Sequence, residues 1–163
     1  MIKLGVVGSA FQLTKEEIEI AHEVGKELLK NELDVLICFD PESLPMEMCK
    51  EIAKVKKPTC FVCDKREEKE AKKLGFQALN TNLPRMSREL VFVKNTDALL
   101  VLGGGSGTLM EVTFAYQMGK PVFVLEEIKG TVDMFKDKFL DKRERLKIQA
   151  IRLNQVSQIP SKR

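Results

Sequence analysis

The sequence predicts an α/β protein built on a mostly parallel sheet with helices on both faces. Three observations carry that expectation. Short apolar runs, each long enough for one strand, alternate with helical stretches along the whole chain. Two of the runs, Ala98–Leu102 and Val122–Leu125, are apolar at every position, as strands covered on both faces require. The first of these stops abruptly at Gly103-Gly-Gly-Ser-Gly107, where a helical pattern begins. Strand-to-helix turns of this kind lie at the carboxyl edge of a parallel sheet, the edge at which such folds bind ligands.

The elements follow in order. Residues 2–7 form the first apolar run, broken at Gly8-Ser9-Ala10, and Thr14-Lys-Glu-Glu17 has the form of a capping box that opens a helix. On that helix Ile18, Ala21, Gly25, Leu28 and Leu29 share one side. The single histidine, His22, lies there without a nucleophile or acid near it in sequence and is read as a surface or packed residue. Residues 34–39 are the second strand, Asp40-Pro-Glu-Ser43 a turn, 44–55 a helix and 58–63 the third strand. A charged helix over 65–74 ends at Gly75, and 76–79 is a short fourth strand. Pro84 opens a helix to about residue 95, on which Met86, Leu90 and Val93 make an apolar stripe with Arg88 nearly opposite. After the strand Ala98–Leu102 come a helix over 108–118, the stop Gly119-Lys-Pro121 and the strand Val122–Leu125. Residues 130–140 look helical, 146–153 form a final edge strand, and 155–163 are expected to be a flexible tail.

Size and composition narrow the function classes. The 163 residues, 44% hydrophobic and 31% charged, suit one soluble domain spanning 1–163. No run approaches the ~20 apolar residues of a membrane span, and the amino terminus leads straight into strand pattern, so a cytoplasmic protein without membrane contact is expected. A net charge of +3 is too small to argue for nucleic acid. The charge is uneven, since from Lys136 onward nine Lys and Arg stand against three Asp and Glu; a solvated basic end is the ordinary meaning. Cys38, Cys49, Cys60 and Cys63 are expected to be reduced. Cys60 and Cys63 have the spacing of half a zinc site, but on a strand residues three apart point to opposite faces, so core packing is expected and no metal.

The glycine segment is the candidate site. Gly103, Gly104, Gly105 and Gly107 let backbone N–H groups approach an anion closely, and Ser106 and Thr108 complete a cradle at the positive end of the following helix. The dinucleotide pattern G-x-G-x-x-G fails because Thr108 takes its sixth position, and the P-loop fails because Thr108-Leu109 stand where Gly-Lys belongs. What remains is a monophosphate-sized cradle. Gly8 and Ser9, at the end of the first strand, fall at the same sheet edge and are placed in the same ligand pocket. Two plainer readings stand beside this one. The run can serve as a tight turn, and Thr108 with Glu111 fits a capping box with Thr108 as N-cap.

Residues 104–111, Gly-Gly-Ser-Gly-Thr-Leu-Met-Glu, resemble the P-G-G-x-G-T-x-x-E signature of the LONELY GUY (LOG), or "lysine decarboxylase-like", family. The resemblance runs from about Met86 to Leu125 and, weakly, to Gly5-Val-Val-Gly-Ser9. It implies a Rossmann-like, three-layer α/β/α fold, a homodimer or higher homo-oligomer, and hydrolysis of a nucleoside 5′-monophosphate to free base and ribose 5-phosphate without metal or organic cofactor. It also implies an alternative, since the related molybdenum-cofactor carrier proteins use a similar loop to bind without known chemistry: a noncatalytic carrier or sensor of a phosphorylated ligand. Carried over by position, the resemblance puts the phosphate on residues 104–108, makes Glu111 the catalytic carboxylate and Arg88 its partner arginine. Arg88 rather than Arg85 stands at the family's distance before Asp97, although Glu89 replaces the usual lysine. A carboxylate and an arginine suit cleavage of an N-glycosidic bond, which develops positive charge at the anomeric carbon beside a bound phosphate. Gly103 stands where the motif has proline, and Cys38-Phe-Asp-Pro-Glu-Ser43 stands where the family has a second glycine-rich segment.

Overall fold

The computed structural model describes residues 1–160. Seven strands, β1 (Ile2–Gly8), β2 (Leu33–Cys38), β3 (Thr59–Val62), β4 (Gln77–Asn80), β5 (Ala98–Leu102), β6 (Val122–Leu125) and β7 (Ile148–Ile151), form one sheet in the order β4-β3-β2-β1-β5-β6-β7. Every pairing is parallel. Five helices connect them: α1 (Lys15–Leu28), α2 (Leu44–Ala53), α3 (Lys65–Lys73), α4 (Arg85–Lys94) and α5 (Ser106–Gln117). This is the expected three-layer, Rossmann-like sheet.

The pleat divides the core in two. Leu4, Val6, Val35, Ile37, Leu100 and Leu102 face α1 and α2 in one apolar layer. Their neighbours Val7, Leu36, Leu99, Val101, Val122 and Val124 face α4 and α5 in the other. Alternate residues of a strand point to opposite faces, so strands buried on both must be apolar throughout, which is how β5 and β6 were legible as strands. Cys60 and Phe61 illustrate the same rule by falling in opposite layers. Local signals set the helix starts: Thr14 Oγ1 accepts from Glu17 N at 3.1 Å while the Glu17 carboxylate accepts from Thr14 N at 2.9 Å, and Ser43 and Asp64 cap α2 and α3. Among the described residues no helix is long and apolar enough to cross a membrane.

Three expectations fail for identifiable reasons. Residues 130–140 hold only a 3-10 turn, Thr131–Phe135; Asp137 takes φ +57 and its N–H bonds to Ile148 O at 2.6 Å, so the segment pairs toward β7 instead of continuing as helix. The expected flexible tail packs down as far as it is described. Leu153–Gln158 is a second 3-10 turn that buries Val156, with Ile159 buried after it, against α1, and Asn31 Nδ2 donates to Ser157 O at 2.8 Å; residues 161–163 lie outside the described residues. Helix α4 is turned round relative to its apolar stripe. Met86 and Leu90 are 67% and 42% exposed, while Arg88, Glu89, Phe92 and Val93 are buried. Phe92 sets this rotation by packing edge-on to Phe61, ring centres 5.6 Å apart, and Arg88, one turn earlier, is carried inward with it.

Candidate functional site

The chain winds outward from β1 to β4 and then returns to lay β5 beside β1, so the strand order reverses between β1 and β5. Their carboxyl ends are level, Gly8 opposite Leu102, and from there the chain leaves to opposite faces of the sheet. The crevice between them is a cavity of about 260 Å³.

The glycine segment does two separate things at this crevice. Gly103 and Gly104 have φ of +69 and +103, and an added Cβ would meet Ser9 Oγ at 2.5 Å and Thr108 Oγ1 at 2.2 Å respectively. Both are packed. Gly104 N–H donates to Ser9 Oγ at 2.7 Å, Thr131 N–H donates to Gly104 O at 2.8 Å, and Thr108 Oγ1 donates to Gly8 O at 3.3 Å. Gly105 and Gly107 have nothing within 4 Å of an added Cβ, and both line the cavity. Gly105 is the N-cap of α5 and supplies no side chain to cap it, so the amides of the first turn point outward unclaimed by any capping group.

Thr108 is therefore the third residue of α5 rather than its N-cap, and the capping box with Glu111 does not form. Glu111 instead lines the cavity, 7% exposed. Burial pushes its carboxyl up to about 8, with the negative charge of Glu89 adding to the effect and Arg88 and Arg85 opposing it. Near neutral pH the group is largely protonated.

Arg88 lies in the same wall and is 1% exposed, although it stands nearly opposite the stripe of Met86, Leu90 and Val93. Its Nη1 donates to Phe39 O at 3.1 Å and lies 3.3 Å from Glu67 Oε2. Among the described residues its Nε and Nη2 are buried without an acceptor, and Glu89 Oε1 lies 3.9 Å from Nη2. Two buried donors left open are costly unless something supplies an acceptor.

Of the residues singled out in sequence, Gly8, Gly105, Ser106, Gly107, Thr108, Arg88 and Glu111 line one cavity, while Ser9, Gly103 and Gly104 stand behind it and hold its shape. Asp40, Arg85, Glu89 and Cys38 were missed as wall residues. Arg85 Nη2 lies 2.9 Å from Asp40 Oδ2 and its Nε 3.2 Å from Glu89 Oε1, so α4 and the end of β2 are joined by a charged bridge across the mouth. A signal existed for Asp40: it stands two residues past β2, and the strand register carried onward puts it level with Ser9 and Gly103. The Cys38 thiol is pushed well up by burial and by Glu111, which makes it an inert wall residue. His22, read as a surface or packed residue, is half-buried 3.2 Å from Glu47 Oε2 and does not line the cavity. Among the described residues no group of three or more His, Cys, Asp or Glu is placed to hold a metal ion.

Comparison with known proteins places this arrangement. No curated protein matches the chain. Among solved structures, a structural-genomics target, TM1055, superposes with a TM-score of 0.82 at 23% identity over 98% of both chains. The molybdenum cofactor carrier protein of Chlamydomonas reinhardtii superposes at 0.73 with 19% identity, over 91% of this chain and 88% of that one. The molybdenum cofactor binding protein of the phototrophic bacterium Rippkaea orientalis gives 0.66 and 23% over 76% of each. At these identities the likeness is one of fold. A model of the SLOG cluster4 family matches residues 1–158, and the chain belongs to that family, within the LOG-like superfamily that residues 104–111 resemble.

Proposed function

We propose that the protein binds a small phosphorylated molecule, nucleotide-like or pterin-like, as a carrier or sensor. The phosphate rests on the first turn of α5 and the ring end lies toward α4 and Asp40. One observation carries this reading: the uncapped start of α5 opens into a cavity whose wall also contains Arg88, a buried guanidinium with two acceptorless donors. Helix-start amides and a fixed guanidinium are complementary to a phosphate and to the oxygens beside it. The volume, about 260 Å³, is just below the roughly 300–1,000 Å³ of ordinary ligand sites and suits one mononucleotide-sized group. The carrier reading is favoured by structural neighbours named for binding or carrying the molybdenum cofactor, which would here be cargo rather than a resident cofactor. Calorimetric titration with AMP, GMP, ribose 5-phosphate and the molybdenum cofactor tests it: binding of at least one without conversion is expected, and a flat panel overturns it.

A second reading, phosphoribohydrolase, is favoured by Glu111 alone. A carboxyl protonated near neutral pH in a cavity that also holds Arg88 has a proton to give to a leaving base, and the carboxylate so formed accepts the proton lost by the water that adds at the anomeric carbon. Release of free base from nucleoside monophosphates, lost in Glu111→Ala, would establish this reading; absence of release leaves the carrier. The homodimer belongs to the same proposal. Met86 and Leu90, exposed on α4, are apolar side chains available to it, and light scattering of wild type and Met86→Glu tests their part.

A further inference from the structure

Among the described residues the cavity wall carries no aromatic side chain, so a planar ring entering it finds no aromatic face to stack on. The residue that follows the wall in sequence is aromatic instead. Phe11 is 71% exposed and directly follows Ala10, which lines the cavity. Its backbone has φ +76 and that of Gln12 has φ +52. For a bulky L-residue this left-handed conformation is an outlier, and it persists only where the surroundings impose it. They do so here: Ala10 bridges to Ser43, Phe11 N–H donates to Glu42 O at 3.1 Å, and Leu44 N–H donates to Ser9 O at 2.8 Å. The loop is thereby tied to the start of α2, whose N-cap Ser43 also lines the cavity.

Neither feature helps the protein fold. The strain is unfavourable, and a phenyl ring left in water recovers little of it through burial. A contact made only with bound ligand accounts for both. We propose that Phe11 is a specificity-determining residue, stacking on the planar ring of the phosphorylated ligand and closing the mouth above Ala10; the proposal rests on the phosphate reading above. Stacking on an aromatic tolerates any heterocycle, so Phe11 selects for the presence of a ring rather than for one base.

The test separates ring from phosphate. Wild type, Phe11→Ala, Phe11→Gly and Phe11→Trp are titrated with AMP and, as a ring-free control, with ribose 5-phosphate. Phe11→Ala and Phe11→Gly are expected to weaken AMP about 10-fold or more while leaving ribose 5-phosphate unchanged. Phe11→Gly is also expected to melt no lower than wild type, because glycine adopts the positive φ without strain, and a merely structural Phe11 would not separate stability from ring binding in this way. The chain has no tryptophan, so Phe11→Trp supplies a lone indole, excited apart from Tyr116, whose emission should change on saturation with AMP and not with ribose 5-phosphate. Unchanged AMP affinity in Phe11→Ala, or equal loss for both ligands, overturns the role of Phe11 and spares the phosphate site. Wild type binding neither ligand overturns this proposal, and the phosphate reading falls with it when GMP and the molybdenum cofactor also fail to bind.

Discussion

Gly103 and Gly104 differ from Gly105 and Gly107 in what a side chain would meet, although all four belong to one run. The first two have positive φ and neighbours inside 3 Å of an added Cβ; the last two face open space in the cavity. The contrast teaches that a glycine run at a sheet edge is two devices joined end to end. One lets strand, loop and helix approach closely, and the other leaves backbone amides uncovered for a ligand.

Substitutions separate the two devices. The largest effect is expected at the packed end: Gly104→Ala, with a Cβ 2.2 Å from Thr108 Oγ1 and 2.6 Å from its Cβ, should cost roughly 2–4 kcal/mol in urea unfolding. A loss below about 1 kcal/mol would end the distinction between the two pairs. Next, Arg88→Met removes the donors opposite the open pair and should weaken AMP binding by about 10- to 100-fold in calorimetry.

Glu111 gives a pH-dependent effect of intermediate size. Its folded value, about 8, lies above the ordinary 4.5, so between these the folded state holds a proton that the unfolded chain has released, and stability falls as pH rises. Glu111→Gln removes that penalty. Its melting temperature relative to wild type should climb from about pH 4.5 to about pH 8 and level off above, whereas a constant difference would mean that Glu111 titrates normally. The smallest effect is expected at the open pair. Gly107→Ala lies within α5 with room for its methyl group and should change stability by no more than about 1 kcal/mol, in the stabilising direction.

Most of the fold was legible in the sequence because burial on both faces forces strands to be apolar, and because Thr14, Ser43 and Asp64 mark helix starts by chemistry that acts over three residues. The segments that misled were settled by distant partners. The apolar stripe of α4 left Arg88 nearly opposite it, whereas Phe61, from β3, packs on Phe92 of that helix and the arginine is buried. Thr108 and Glu111 fit a capping box by spacing, yet the helix begins at Ser106 because Gly104 is anchored to Ser9, far away in sequence. The site followed the same division. Gly105 and Gly107 stood out by local spacing and Glu111 by its place in the motif that residues 104–111 resemble, while Asp40, Arg85 and Glu89 join them in the cavity wall only through the strand order that brings β2 and α4 to the same edge.

The central claim is that the open half of the glycine run holds an anion, and Gly107→Asp tests it most directly. A carboxylate in the first turn of α5 is favourable to the helix and repels a phosphate placed there. Calorimetric titration of ribose 5-phosphate into wild type and Gly107→Asp should show binding in the first and none in the second, with the variant melting no lower than wild type. Equal binding by both proteins would contradict the account.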